Sequence, residues 1–266
     1  MIDLYLSKKN YHLGDKVEGY ALVRCDDDFE CNRVVVYING FEKTEFMNGE
    51  YIRYERNQLI RAKVELIGKT VFRIGETRFD FYFDIPEDIP GTYYGIYGMI
   101  KYEIKAVVEI SLAFNCVDFQ ELTIKPLPPK AGSEALPISV YIQEEETRFI
   151  EVELLTAYVK KDDILPFTFR VYPEAKINGV NFELIHHEVV ASEGHHTTSH
   201  LIWNNRYIKE TEFERNSWIE SEIKASTRWA VSIQSKLILS RFTLKISLDF
   251  PWRFDKSIEV PITVHY

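Results

Sequence analysis

The sequence predicts an all-β protein built as two antiparallel β-sandwich domains in tandem, of the immunoglobulin-like kind. Three observations carry this. Short segments that alternate apolar and polar residues recur along the whole chain, separated by turn residues. Strand formers are abundant, with 16 Tyr, 17 Phe and 14% aromatic residues. Four of the ten prolines fall within one segment near the midpoint, Lys125-Pro126-Leu127-Pro128-Pro129-Lys130-Ala131-Gly132-Ser133-Glu134-Ala135-Leu136-Pro137, which has the composition of a linker. The expected division is a first domain over 1–125, a linker over 126–137 and a second domain over 138–266.

In chain order, Ile2, Leu4 and Leu6 alternate and open the first domain. Val17 to Val23 and Arg33 to Ile38 follow as strands. Residues 42–60 hold the turn pair Asn48-Gly49 and several charges, which predicts a long exposed hairpin or loop. Arg61 to Ile67 and Thr70 to Ile74 flank a short turn at Gly68-Lys69. Phe79, Phe81, Phe83 and Ile85 then alternate within 78–85, and the segment Ile89-Pro90-Gly91 stops that strand. Ile100, Tyr102, Ile104 and Ala106 share one face of a strand over 97–110, and 117–124 completes the domain. In the second half, strands are predicted over Ile138 to Gln143, Arg148 to Leu154, Leu165 to Tyr172, Val180 to Val190, His200 to Tyr207, Ala225 to Ser232, Ser240 to Phe250 and Ile258 to Val264. Residues 209–224 have too few apolar positions for an amphipathic helix and read as a loop or a short helical turn. The two halves share no close sequence repeat.

Charge and composition exclude several functions. The net charge is -9, and 16 basic against 21 acidic residues in 1–125 leave 16 against 20 in 126–266. Neither half is basic, which argues against sequence-independent nucleic-acid binding. No run of about 18 apolar residues occurs, so no membrane-spanning helix is expected. The first residues, Met1 to Lys9, break their apolar pattern too early for a signal peptide, so a soluble cytoplasmic protein is expected. Plentiful Ile, Tyr, Lys and Glu with few Gln resembles the usage of thermophiles. The three cysteines, Cys25, Cys31 and Cys116, form no Cys-x-x-Cys pair. Cys25 and Cys31 flank Asp26-Asp27-Asp28-Phe29-Glu30, read as a hairpin tip. They stand there either as a disulfide or as two unpaired thiols.

The histidines are the sharpest chemical signal. Five of seven fall together, as His186, His187, His195, His196 and His200, around the turn Ser192-Glu193-Gly194. Across such a hairpin His186, His196 and His200, with Glu188 or Glu193, are candidate ligands for zinc or copper. Against this, a metal site needs three or four converging ligands, and strand alternation sends His186 and His187 to opposite faces. The plainer reading is an exposed polar hairpin, and no resident metal or other cofactor is expected. The acidic run Asp26-Asp27-Asp28 with Glu30 lacks the spacing of a calcium loop. Glu144-Glu145-Glu146 reads as a solvated loop. No nucleophile elbow, phosphate-binding glycine loop or His-Glu-x-x-His motif is present, so no enzyme is expected.

Four stretches resemble the arrestin superfamily. The first runs Leu4-Tyr5-Leu6-Ser7-Lys8-Lys9-Asn10-Tyr11 into Leu13-Gly14-Asp15-Lys16-Val17-Glu18-Gly19. The second is Arg33-Val34-Val35-Val36-Tyr37-Ile38-Asn39-Gly40. The third, Phe79 to Ala106 with its Ile-Pro and Pro-Gly punctuation, is the most specific. The last pairs Leu239 to Leu248 with Ile258-Glu259-Val260-Pro261-Ile262-Thr263-Val264, similar to the family's two final strands. The resemblance implies an arrestin-like tandem sandwich and a non-enzymatic adaptor. It would bind protein partners through concave faces or an exposed sheet edge. Such partners include cytoplasmic tails of membrane proteins and trafficking or regulatory complexes, which would bring the chain to a membrane only peripherally. Self-association through sheet edges is a further expectation.

Receptor arrestins hold phosphate-sensing basic residues in the early turn, so Lys8 and Lys9 become candidate partner contacts by resemblance; the plainer reading is two solvent-facing lysines at a strand end. Asn10 stands where those arrestins carry an aspartate of a buried charge network. The sequence also ends at Tyr266, just after the last predicted strand. Both departures predict that a phosphorylation-triggered, tail-released switch is absent, as in α-arrestins, the arrestin-fold subunit of retromer and prokaryotic sporulation-control relatives. Tyr93-Tyr94 with Ile96-Tyr97 reads either as an interaction patch or as packing. The alternative function is a metal- or carbohydrate-binding sandwich using the histidine-rich hairpin 186–200.

Overall fold

The structure, a computed structural model, describes every residue except 111–113, 127–136, 228–229 and 253. It is built from strands, and the chain groups into two compact units. One comprises Met1–Tyr94 and Gly98–Leu127, the other Gly95–Tyr97 and Pro128–Tyr266.

The first unit contains β1 (Ile2–Leu6), β2 (Asn10–His12), β3 (Lys16–Cys25), β4 (Phe29–Asn48), β5 (Tyr51–Ile67), β6 (Thr70–Phe72), β7 (Gly75–Asp84), β8 (Tyr93–Tyr94), β9 (Gly98–Ile110) and β10 (Cys116–Lys125). One sheet runs β1-β3-β7. The other runs β2-β10-β9-β4-β5, with β6 on β4 and β8 on β9. Pairing is antiparallel except for the short β2, which lies parallel to β10. Period-two alternation drives this assembly: Ile100, Tyr102, Ile104 and Ala106 of β9 are all buried, as are Val34, Val36 and Ile38 of the neighbouring β4. Gly40 marks a register shift in β4. A Cβ there would stand 2.4 Å from the Tyr102 ring and 2.6 Å from Ile60, so only glycine fits beside that buried ring.

The second unit contains β11 (Ile138–Glu144), β12 (Thr147–Leu154), β13 (Tyr158–Lys160), β14 (Ile164–Val171), β15 (Gly179–Ser192), β16 (His195–Lys209), a 3-10 turn (Glu210–Glu212), β17 (Ile219–Lys224), β18 (Ile233–Gln234), β19 (Ile238–Asp249) and β20 (Lys256–His265). Its sheets run β11-β12-β14-β17 and β13-β20-β19-β15-β16, with β18 on β19. The second path repeats that of the first unit. A short parallel strand lies beside the last strand, then come the last strand's antiparallel partner and a long hairpin. The core here contains a cluster of phenylalanine rings. The Phe182 ring lies 4.5 Å from that of Phe167 and 5.3 Å from that of Phe169, and all three are buried.

Four local expectations need correction. Gly68-Lys69 does not reverse the chain: Ile67 pairs with Val34 and Thr70 with Cys31, so β5 and β6 lie end to end along β4. Cys25 and Cys31 do not face each other across a hairpin. Cys25 ends β3 in one sheet and Cys31 lies in β4 of the other, so 26–28 carry the chain between sheets, and the cysteines are free thiols. The strand expected over 225–232 does not form in the residues described there. Ala225, Ala230 and Val231 are buried as their apolarity demands, but their segment bonds irregularly, Ala225 N–H to Asp163 C=O and Ser232 N–H to Val264 C=O. Within 209–224, the short helical turn is present, and Ile219–Lys224 adds a strand. The linker expected over 126–137 falls outside the described residues at 127–136.

Candidate interaction surfaces: hairpin tips and sheet edges

The long hairpin β4–β5 is the most prominent surface feature of the first unit. β9 accompanies β4 only as far as Thr44, whereas β5 continues to pair with it through Asn48. Glu45–Asn48 and their partners on β5 therefore form a two-stranded ribbon beyond the sheet. Gly49, at φ +62, takes the first loop position, where a tight hairpin turn calls for positive φ. The ribbon's tip is apolar and solvent-facing: Met47 is 61% exposed, Tyr51 69% and Ile52 66%. Exposed apolar side chains clustered on one projecting element are the usual mark of a binding surface.

Sheet edges are handled in two ways. The outer edge of β1 is closed by side chains from β10: Leu4 N–H donates to the Asp118 carboxylate at 2.8 Å, and the Gln120 amide donates to Leu4 C=O. The edge of β17 is closed similarly from β16, where Asn204 Nδ2 donates to Lys224 C=O at 3.0 Å and Arg206 to Glu222 C=O at 3.3 Å. By contrast β5, with 17 residues, ends its path with no described strand beyond it. Such an edge is a template for strand addition.

The histidines separate into different environments. His186 points inward, is buried, and lies 2.8 Å from Ser240 Oγ through Nε2. Ser240 donates its own proton to Val231 C=O, so His186 Nε2 is the donor. Burial pushes its pKa down to about 4, the neighbouring His187 adding to the effect. His196 is exposed and pairs with Ala191, four residues along β16 from His200, or about 13 Å of strand. The three sequence candidates His186, His196 and His200 therefore do not converge. The pair that does form is His187 with His200, whose Nδ1 atoms are 2.7 Å apart. No set of three or more His, Cys, Asp or Glu side chains is placed to hold a metal ion among the described residues.

Of the two candidate lysines, Lys8 is held by Asp15 in a 2.7 Å ion pair and lies 4.8 Å from the Tyr11 ring centroid. Lys9 is exposed and makes no ion pair among the described residues. Asn10 opens β2 and is exposed. Asp28 of the acidic run accepts from Arg73 and from Ile74 N–H at 3.0 Å, so its carboxylate serves the local fold. Tyr93 is buried, while Tyr94 stays partly exposed. A cleft of about 840 Å³ in the second unit is lined by Glu144, Glu145, Thr147, Glu174 and Lys176 with Phe149, Phe250 and Trp252.

Sequence reasoning found the first hairpin but not its apolar tip as a surface, nor the edge closures by Asp118, Gln120, Asn204 and Arg206. The exposed Met47, Tyr51 and Ile52 around Asn48-Gly49 were the available signal for the tip. No helix among the described residues is long and apolar enough to cross a membrane. Residues 1–127 match the family model of the arrestin (or S-antigen) N-terminal domain. No curated protein matches the chain.

Proposed function

We propose, from the premise that the chain belongs to the arrestin superfamily through residues 1–127, that it works as a non-enzymatic adaptor. The observation that carries this reading is the β4–β5 hairpin, which presents an apolar tip at Met47, Tyr51 and Ile52 and a long terminal strand edge on one element. The tip supplies side-chain anchors and the edge supplies main-chain donors and acceptors. Together they suit an extended segment of a partner protein.

The partners in this reading are cytoplasmic tails of membrane proteins or soluble trafficking and signalling complexes, met on the cytoplasmic side. Two arrestin-like domains joined over 126–137 form the scaffold. Lys9, and Lys8 when released from Asp15, would contact acidic or phosphorylated residues. The exposed Asn10 supports a mechanism without a phosphate-triggered charge network.

The experiment is capture of partners by the tagged chain from cells of its own source, run beside the Met47→Asp/Ile52→Asp variant. Stoichiometric partners retained by the wild type and lost by the variant support the adaptor reading. Turnover of a small molecule at a defined site, or partners indifferent to the tip, would overturn it.

A further inference from the structure

His187 and His200 stand directly opposite each other on β15 and β16, on the outward face of the sheet. Their rings meet nearly at right angles, 83°, with centroids 4.8 Å apart, and the two Nδ1 atoms are separated by 2.7 Å. At that distance one Nδ1 carries the proton and the other receives it. Nε2 of His187 lies 2.9 Å from Thr243 Oγ1 on β19. With Thr243 accepting from Nε2–H, the Nδ1 lone pair of His187 is turned toward His200. This is how the outer nitrogen of a metal-ligating histidine is usually held by its second partner.

A cation that replaces the shared proton would meet the lone pairs of two facing Nδ1 atoms, each ring turning toward the ion. At a metal–nitrogen distance of about 2.0 Å, ligands at a right angle sit about 2.8 Å apart, whereas tetrahedral ligands sit about 3.3 Å apart. The observed 2.7 Å fits the right-angle case with an adjustment of about a tenth of an ångström. Tetragonal nitrogen sites select Cu(II) and then Ni(II), and Cu(II) also heads the affinity order of the divalent series. The surrounding charge is mixed: Arg241 of β19 pairs with His187, Lys245 follows four residues on, and Glu259 of β20 lies within electrostatic reach of His187.

We infer that His187 and His200 form a two-nitrogen surface site for Cu(II), chelated through both Nδ1 atoms, with Thr243 as its positioning residue. Water fills the remaining positions, since no third protein ligand converges among the described residues. Nickel binds the same pair more weakly, and zinc, which prefers a wider angle, more weakly still. The bound ion ties β16, the terminal strand, to β15.

The test is titration of the purified full chain with copper, nickel and zinc salts at neutral pH, with electron paramagnetic resonance of the copper form. The expected result is one copper per chain with coupling to two nitrogens. His200→Asn should weaken binding by more than about tenfold, and Thr243→Val by about tenfold. The double variant His195→Asn/His196→Asn should leave the affinity unchanged. His200 is exposed, so its variant keeps the fold, and circular dichroism checks this. Copper affinity that survives His200→Asn, is lost in the His195→Asn/His196→Asn variant, or is exceeded by zinc would overturn the proposal.

Discussion

The two long hairpins occupy the same place in their sheets and end differently. β4–β5 runs four residues of β4 past its neighbour β9 and turns through Gly49 at φ +62, with an apolar tip. β15–β16 runs only Ala191 and Ser192 past the pairing with β19. It turns through Glu193 and Gly194, both at positive φ, as the tightest two-residue hairpin turn requires. The buried polar groups differ as well: Glu42 and Thr44 in the first hairpin, His186, Glu188 and Ser192 in the second. One architecture thus carries two surfaces, a ribbon with an apolar exposed tip and a histidine face. The first hairpin offers its apolar residues at the tip, whereas the second holds its paired histidines well back from the turn, against Thr243 of the neighbouring strand.

The largest effect that would sharpen this comparison lies in the cores. In the second unit β15 packs Phe182 against Phe167 and Phe169, whereas β4, at the equivalent place in the first unit, buries Val34, Val36 and Ile38. Phe182→Ala should cost about 3–5 kcal/mol through lost burial and a residual cavity. In a denaturant titration the loss should fall on the unfolding transition of the second unit, with the first unit's transition in place. Equal displacement of both would mean that the units do not unfold independently, and the contrast between their cores would lose its meaning.

The core was legible because burial and period two coincide. Alternation placed Ile100, Tyr102, Ile104 and Ala106 on one face, and all four are buried; of Phe79, Phe81, Phe83 and Ile85, Phe81 and Ile85 are buried and the other two half-buried. Strands that owe their existence to distant partners were not legible. β2 and β13 have three residues each and form only because β10 and β20 present an edge to them. For the stretch 225–232 the converse holds: Ala225, Ala230 and Val231 are buried, but the backbone meets its neighbours only in isolated bonds at Ala225 and Ser232 and not in a continuous ladder over the described residues. The histidine pairing was half legible. Alternation separated His186 from His187, but the His187–His200 register depends on which two residues, Glu193 and Gly194, form the turn, and the sequence signal spans three. Asp118 and Gln120 look like faults in an apolar face until the open backbone of β1 is seen beside them.

A smaller effect separates the hairpins by pH. Burial holds His186 at about 4, against 6.5 for the free side chain. Between those values the unfolded chain takes up a proton that the folded chain refuses, so stability falls as the pH drops below about 6.5 and this contribution levels off below about 4. From pH 7 to pH 5 the loss from His186 is about 2 kcal/mol. His187, also lowered by burial and by His200, acts in the same direction. Denaturation midpoints at the two pH values should therefore separate in the wild type and draw together in His186→Asn, which retains a donor for Ser240. An unchanged separation would place the acid sensitivity elsewhere.

The smallest effect tests whether the two edge closures are equivalent. Asp118 satisfies the N–H of Leu4, a residue only 2% exposed, whereas Asn204 reaches Lys224 C=O at an exposed position. Removing an acceptor from a buried N–H leaves that group unpaired at a cost of about 1–3 kcal/mol, while water replaces a lost donor at an exposed carbonyl. Asp118→Ala should thus lower the first unit's stability by about 1–2 kcal/mol, and Asn204→Ala should change the second by less than about 0.5 kcal/mol. Opening the β1 edge also exposes a strand template, so Asp118→Ala should show concentration-dependent self-association by light scattering where Asn204→Ala does not. If the two variants behave alike, burial does not distinguish the closures, and the β1 edge must be protected by more than the Asp118 carboxylate.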